Sequence, residues 1–432
     1  MIHRKSKLLL SVASILLCSS PLAQAAEISF LTHWGPDTTA LLESAAAAYT
    51  AENPETTITV RAVPFGDLLT TLRTSGGGAS GATIAGIYDA WLPDLARDQL
   101  VAPAPEAVAA EVRANWPAGV VAAASINGTL YGIPNEIDVY ALNYNKRLFE
   151  EAGLDPNAPP KTWDEFLAAA EKLTDASKGQ QGFGMINSWT AGVLHPFASL
   201  LVSNGGDLVV DGKPTLDTPQ AMETFELYEE LVDSGYSVPA MATADANTTG
   251  PFLDNFVSGK TGMIIMANWW ESALKGGMGD AFADVATAPI PVGPSGDTAR
   301  SISYSWMTVV NAQASAEEQQ AAWDFLVWLN GPESGPDGAS AMGDILMSMG
   351  ILPSRTSDVE AFSERLASDE FLKGYTETLA NAKPFPVVLG GQELSEALQQ
   401  HLEAIQFGQA TAAEAQANAQ ADAEEILSRN AQ

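Results

Sequence analysis

The sequence predicts an α/β fold with a parallel sheet and a second lobe, on three observations. Strand-like and helix-like segments alternate at the spacing of βαβ units. The chain has 432 residues, 46% hydrophobic and 17% charged, which is long and apolar enough for two core-forming domains. No internal repeat or long low-complexity linker divides it.

The elements follow in order. Glu27 to Thr32 reads as a strand, Thr39 to Asn53 as an Ala-rich helix, and Thr57 to Val63 as a second strand. Asp67 to Thr74 continues as a helix, Gly76-Gly77-Gly78 as a flexible loop, and Ala82 to Tyr88 as a third strand. Thr162-Trp163-Asp164-Glu165 has the pattern of a capping box, in which hydroxyl and carboxylate each satisfy an orphan amide. Gly182 to Ile186 is a short strand, and Val209 to Lys213 holds an Asp-Gly hairpin turn. Asp217-Thr218-Pro219 places a cap and a first-turn proline ahead of Met222, Phe225, Tyr228 and Val232, which share one helix face. Ser315 to Glu318 is a further capping box before the apolar helix Trp323 to Leu329, and Ala410 to Gln432 reads as a terminal helix.

The first residues carry a separate message. His3 to Lys7 is basic, Leu8 to Cys18 is an apolar run of signal-peptide length, and Ala23-Gln24-Ala25 supplies small residues for cleavage near Ala25. The run is short for a membrane span, and no later segment is continuously apolar over about 20 residues. Cys18 offers a lipoprotein alternative, which the bulky Leu16-Leu17 before it disfavour. An exported, acidic, periplasmic protein is expected.

Charge and motif content remove several classes. Lys plus Arg number 21 against 53 Asp plus Glu, a net charge of −32 that repels phosphate backbones and excludes nucleic acid as a partner. The one cysteine permits neither an internal disulfide nor a thiolate metal site, and His3, His33, His195 and His401 lack ligand spacing. There is no phosphate-cradling GxxxxGK[ST] loop and no GxSxG elbow. No metal or cofactor is expected. Asp89, Glu136, Asp138 and Glu271 are carboxylates from which a glycosidase pair could be assembled, but separations cannot be read from sequence, and most acids in so acidic a chain are solvated.

Three stretches, in order, carry a family resemblance. The first runs from Tyr131-Gly132-Ile133-Pro134 through Tyr140 to Leu154 and on to Pro160 to Phe166. The second is Phe256 to Met263 leading into Asn268-Trp269-Trp270; the third joins Pro289 to Gly293, Ala322 to Leu326 and Leu352-Pro353-Ser354-Arg355. Together they resemble the periplasmic solute-binding proteins of carbohydrate-importing ABC transporters, the family that includes maltose-binding protein. The resemblance implies two α/β lobes, residues 27–138 with 302–347 and residues 139–301 with 348–432, joined by a hinge that the chain crosses three times. It further implies a monomeric, non-enzymatic receptor that closes on a mono- or oligosaccharide and presents a surface to a membrane permease. Tyr144-Asn145-Lys146, Trp163, Trp323 and Trp328 are read as packing or capping positions.

A sugar's hydroxyls need hydrogen bonds and its C–H faces stack on aromatic rings, so a cleft for it wants Trp or Tyr beside polar side chains. His33-Trp34 and Asp89-Ala90-Trp91 follow the first and third strands, where open α/β sheets face their ligands. Glu136 precedes the first implied hinge crossing, with Tyr140 either a contact or a hinge packing residue. Trp189 interrupts the chain after a short strand. Trp269-Trp270 is read as extended, so that one ring faces ligand and the other packs. By the same alternation Tyr304 is preferred, with Trp306 second. Arg355, the arginine of the family's Pro-Ser-Arg pattern, either contacts ligand or braces the third crossing. The net charge favours a neutral sugar; a polyol, glycerol phosphate or anionic derivative is the same-fold alternative, and a secreted carbohydrate-active enzyme the different-class one.

Overall fold

The computed structural model describes residues 26–74, 81–244 and 250–430. The signal-peptide reading and the Gly76-Gly77-Gly78 loop fall outside them. The first two strands, β1 (Ala26–Thr32) and β2 (Thr56–Ala62), pair in parallel across helix α1 (Pro36–Glu52). Helix α2 (Phe65–Thr74) then leads to β3 (Ile84–Tyr88), which is parallel to β1 on its other side. The βαβ alternation thus builds the sheet it predicts, with α1 starting earlier than its alanines suggest because Pro36 occupies the first turn.

The long strand β4 (Gly132–Asn145) organises the rest. Beyond it come β5 (Gln181–Gly184), α3 (Thr190–Ser203), α4 (Pro219–Asp233), β6 (Thr261–Ala267), α5 (Glu271–Met278), β7 (Val285–Ala288) and β8 (Ile302–Val310). Helix α6 (Ala316–Leu329), the short strands β9 (Leu352–Pro353) and β10 (Lys383–Pro384), and helices α7 (Gly391–Gln406) and α8 (Ala412–Asn430) complete the set used below. Ten strands form one mixed sheet ordered β2-β1-β3-β8-β4-β6-β5, with β7 and β9 also on β4 and β10 on β8.

The partners of β4 change along its length. Gly132 to Val139 pair antiparallel with β8, whereas Tyr140 to Tyr144 pair with β6 and Leu142 to Asn145 with β7. One strand therefore belongs to both halves of a two-lobe α/β molecule, and the residues at its middle lie between them.

Local signals hold where they are covalently close. Ser315 and Glu318 complete a reciprocal capping box, and Thr218 caps α4 ahead of Pro219. The Thr162 hydroxyl accepts from the Glu165 amide at 3.3 Å, but the Glu165 carboxylate takes the Lys161 amide at 2.7 Å and not the Thr162 amide, so the box is not reciprocal on Thr162. The Asp211-Gly212 turn has both residues at positive φ and joins a two-stranded hairpin. Among the packing readings, Trp163 and Trp323 are buried and Asn145 caps its helix through the Leu148 amide.

Candidate functional site between the two halves

A cavity of about 620 Å³ opens where the halves of the sheet meet, within the usual range for small-molecule sites. One wall comes from the loop after β1. The Thr32 hydroxyl accepts from the Trp34 amide, and the Trp34 carbonyl accepts from the Thr39 hydroxyl, tying the loop to the start of α1. His33 and Trp34 line the cavity. The His33 ring lies 4.6 Å from Trp306 and 5.3 Å, edge-on, from Phe65. Burial lowers its pKa to about 4, so this imidazole is neutral near pH 7.

The floor is β4. Alternation puts Glu136, Asp138 and Tyr140 on one face of the strand, opposite Trp306 and Tyr304 of β8 in register. Asp138 is 1% exposed and accepts from the Asn268 side-chain amide at 3.0 Å. The Tyr304 hydroxyl accepts from the Trp269 indole N–H at 2.7 Å and hydrogen-bonds onward to Asp138. The Glu136 and Asp138 carboxyls stand side by side on that face. Burial, reinforced for Glu136 by its neighbour's charge, holds the pair well above the ordinary carboxylate range.

The opposite wall is aromatic. Trp189 meets Trp269 at 5.9 Å and 66°, and His195 reaches in from α3. The His195 ring nitrogens sit 2.9 Å from the Tyr88 hydroxyl and 3.1 Å from that of Tyr140. Burial lowers the His195 pKa to about 3, so one ring nitrogen donates and the other accepts. Tyr88 ends β3 and His195 lies on α3, so this bridge spans the two halves.

Seven of the ten residues singled out from sequence line this cavity: His33, Trp34, Glu136, Trp189, Trp269, Trp270 and Tyr304. The Trp269-Trp270 pair does not sit in an extended segment. Asn268–Trp270 is a single 3-10 turn that links β6 to α5, and helical rotation rather than strand alternation separates the rings. Trp270 is 1% exposed and packs against Phe252, while Trp269 is less buried.

The other three lie outside the lining. Asp89 opens a 3-10 turn that rotates its carboxylate onto the sheet, where it accepts from the Ser305 amide at 2.8 Å. Trp91 packs behind the cavity wall against Trp306 and donates its indole N–H to Gln392 of α7. Arg355 follows β9, which pairs with β4 at Glu136 and Ile137; its guanidinium lies over Trp116 at 5.4 Å, with Glu111 at 3.8 Å.

Sequence reasoning did not select Phe65, Tyr88, Asp138, Tyr140, His195 or Trp306 as principal contacts, yet all six line the cavity. For Asp138 and Tyr140 a signal was present: strand alternation from Glu136 places all three on one face. His195, in the middle of a buried helix, carries no local signal. Among the described residues no lysine or arginine appears in the lining, no cluster of His, Cys, Asp or Glu is arranged to hold a metal ion, and no helix is long and apolar enough to cross a membrane.

The chain is similar to known proteins over most of its length. The chain is 27% identical over 426 residues to a putative binding protein of Brucella abortus, covering 98% of each. It is 25% identical over 299 residues to the maltotriose-binding protein of Pyrococcus abyssi, spanning 68% of this chain and 60% of that one. The crystal structure of the GacH receptor of Streptomyces glaucescens, solved unliganded and with acarbose, superposes with a TM-score of 0.79 at 24% identity, covering 93% of this chain and 98% of that one, a likeness of fold. The model of the family described as bacterial extracellular solute-binding protein matches residues 35–336, and the chain belongs to that family.

Proposed function

We propose that this protein is an exported, non-enzymatic receptor that binds a mono- or oligosaccharide in the cavity between its lobes and delivers it to the permease of an ABC importer. The observation that carries the reading is the cavity wall itself. Trp34, Trp189, Trp269, Tyr304 and Trp306 offer flat apolar faces for sugar C–H groups, and Glu136, Asp138 and the tyrosine hydroxyls offer hydrogen bonds. The maltotriose-binding relative supports a sugar, and other relatives bear the name of ABC transporter binding proteins. The lobes divide as residues 27–138 with 302–347 and residues 139–301 with 348–432; the change of partner along β4 at Val139 and Tyr140 supports that boundary. Closure is a population shift: a ligand touching both lobes stabilises the closed form that docks on the permease. The protein acts as a periplasmic monomer.

Two observations bear on the alternatives. Glycosidase carboxyls flank the scissile bond, whereas Glu136 and Asp138 stand side by side on one face of β4. A sugar phosphate or acid needs a cation, and Arg355 is packed on Trp116 instead.

A thermal-shift screen of protein stripped of ligand by unfolding and refolding tests the reading, with neutral, basic and anionic saccharides and polyols in the panel. Ligand at about 100 times its Kd stabilises by roughly 2.7 kcal/mol, a visible shift. Trp269→Ala is expected to weaken binding at least about tenfold while leaving unfolding cooperative. Stabilisation by anionic compounds alone would overturn the site assignment, and release of reducing ends from a glycoside would overturn the receptor class.

A further inference from the structure

Among the described residues, the carboxyl pair on the cavity floor has no lysine or arginine partner. The charged and titratable groups that face Glu136 and Asp138 from neighbouring elements are Asp89 from the turn after β3, Tyr304 from β8, Tyr140 on β4 itself and Tyr375 from the helix Glu370–Leu379. All are acidic or phenolic. Two imidazoles share the cavity, His33 and His195; burial keeps both neutral, and His195 is occupied at both ring nitrogens by Tyr88 and Tyr140. Asp37 at the cavity mouth adds another negative charge, and no lysine or arginine lines the walls among the described residues.

A neutral sugar donates its hydroxyls to this floor but brings no charge to offset the acids gathered there. A cationic nitrogen gains from every part of it. It supplies the missing positive charge and donates N–H bonds to carboxylate oxygens, and the faces of Trp269 and Trp306 add cation–π attraction.

Resting on the saccharide-receptor reading, we propose that the saccharide this cavity takes carries a basic nitrogen, an amino or imino sugar in its ammonium form, seated between the Glu136–Asp138 pair and the surrounding aromatic rings. On binding, a proton that burial keeps on the carboxyl pair leaves to solvent, and the ligand's ammonium group takes its place.

Titration calorimetry on stripped protein with matched pairs tests this: glucosamine against glucose, deoxynojirimycin against glucose, and the glucosamine disaccharide of chitosan against cellobiose and N-acetylated chitobiose. The basic member of at least one pair is expected to bind tenfold or more tighter than its neutral counterpart. Its binding heat should vary with the ionisation enthalpy of the buffer, the signature of a released proton, a readout that needs no variant. Glu136→Gln, with its fold checked by circular dichroism, should erase the preference while keeping residual affinity for both members. A neutral member that binds as tightly as its basic partner, with no buffer-dependent heat, overturns the basic-nitrogen assignment and leaves the saccharide receptor standing. A panel flat in both members of every pair overturns both, and binding of a quaternary amine such as choline without any sugar overturns the saccharide reading alone.

Discussion

Two sets of buried carboxyl groups lie close to Asn268, and they are treated in opposite ways. Asn268 donates to Asp138 on the cavity floor at 3.0 Å and to the Gly350 carbonyl at 3.2 Å. Behind Gly350 sits Glu271, 2% exposed like the floor carboxyls. The approach is so close that a Cβ on Gly350 would meet the Glu271 side chain at 2.5 Å, and Gly350 holds a φ of +83°, where glycine alone is unstrained. Glu271 has cations at hand: Lys275 at 2.6 Å and Arg365 at 3.8 Å. Glu136 and Asp138 have each other. A compensated buried acid braces α5 against its surroundings; an uncompensated one is tolerated where a ligand completes it, and site residues commonly carry such local instability.

The largest expected consequence is in the pH dependence of folding. Burial raises the pKa of Asp89 from 3.8 to about 7 and moves Glu136 and Asp138 in the same direction. Between about pH 4 and 7 the folded protein therefore binds more protons than the unfolded chain, so the stability of the unliganded protein falls as pH rises through that window. One such group accounts for on the order of 4 kcal/mol. Urea denaturation at pH 5 and pH 8 should show the loss, and Glu136→Gln or Asp89→Asn should flatten the slope. Equal slopes in wild type and both variants would mean that the floor is not under electrostatic strain.

The next effect separates the two clusters by mutation. Removing Glu271 as Glu271→Ala takes out packing against Gly350 and the anion that Lys275 and Arg365 face; the partners are about half exposed, so the loss is expected near 2 kcal/mol instead of the full value of a buried pair. Glu136→Gln at pH 8 is expected to leave stability unchanged or raise it, because the amide cannot take a second negative charge beside Asp138. Equal destabilisation by the two would erase the distinction between brace and binding floor.

What sequence reveals of these two regions differs for a physical reason. The strands and helices around both follow from local alternation and caps, which act over a few residues: β1, β3, α4 and the box at Ser315 are set by neighbours in the chain. Trp34 is legible because strand ends face the cleft in open sheets, and Trp269 because two adjacent tryptophans follow an apolar run. Glu136 and Asp138 are two residues apart on one strand, so their shared face is local information as well. Their lack of a counter-ion is not, since it depends on Tyr304, Asn268 and Asp89 arriving from distant elements. Asp89 and Trp91 sit where a strand passes into a 3-10 turn, and that one rotation carries them out of the lining. Trp270 went the other way: a turn, not an extended run, buries it. Arg355 matches a family pattern, yet its place over Trp116 depends on a helix some 240 residues earlier in the chain.

The smallest effect tests whether compensation alone makes the difference between the regions. Lys275→Met keeps the aliphatic reach of the side chain but withdraws the closest cation from Glu271, leaving Arg365 at 3.8 Å. Glu271 already titrates above its ordinary value because burial outweighs the Lys275 bond, so the variant should move it further in the same direction. Its stability cost should then appear only above that raised pKa and vanish below it, where the neutral carboxyl needs no cation. Lys275 is 45% exposed, so the expected loss is about 0.5–1 kcal/mol at pH 8, with none resolved near pH 4. Denaturation midpoints at the two pH values read it directly. A loss of the same size at both would mean that Lys275 contributes packing and not charge. The pH-selective loss, by contrast, would show a brace acquiring the behaviour of the cavity floor once its cation is withdrawn.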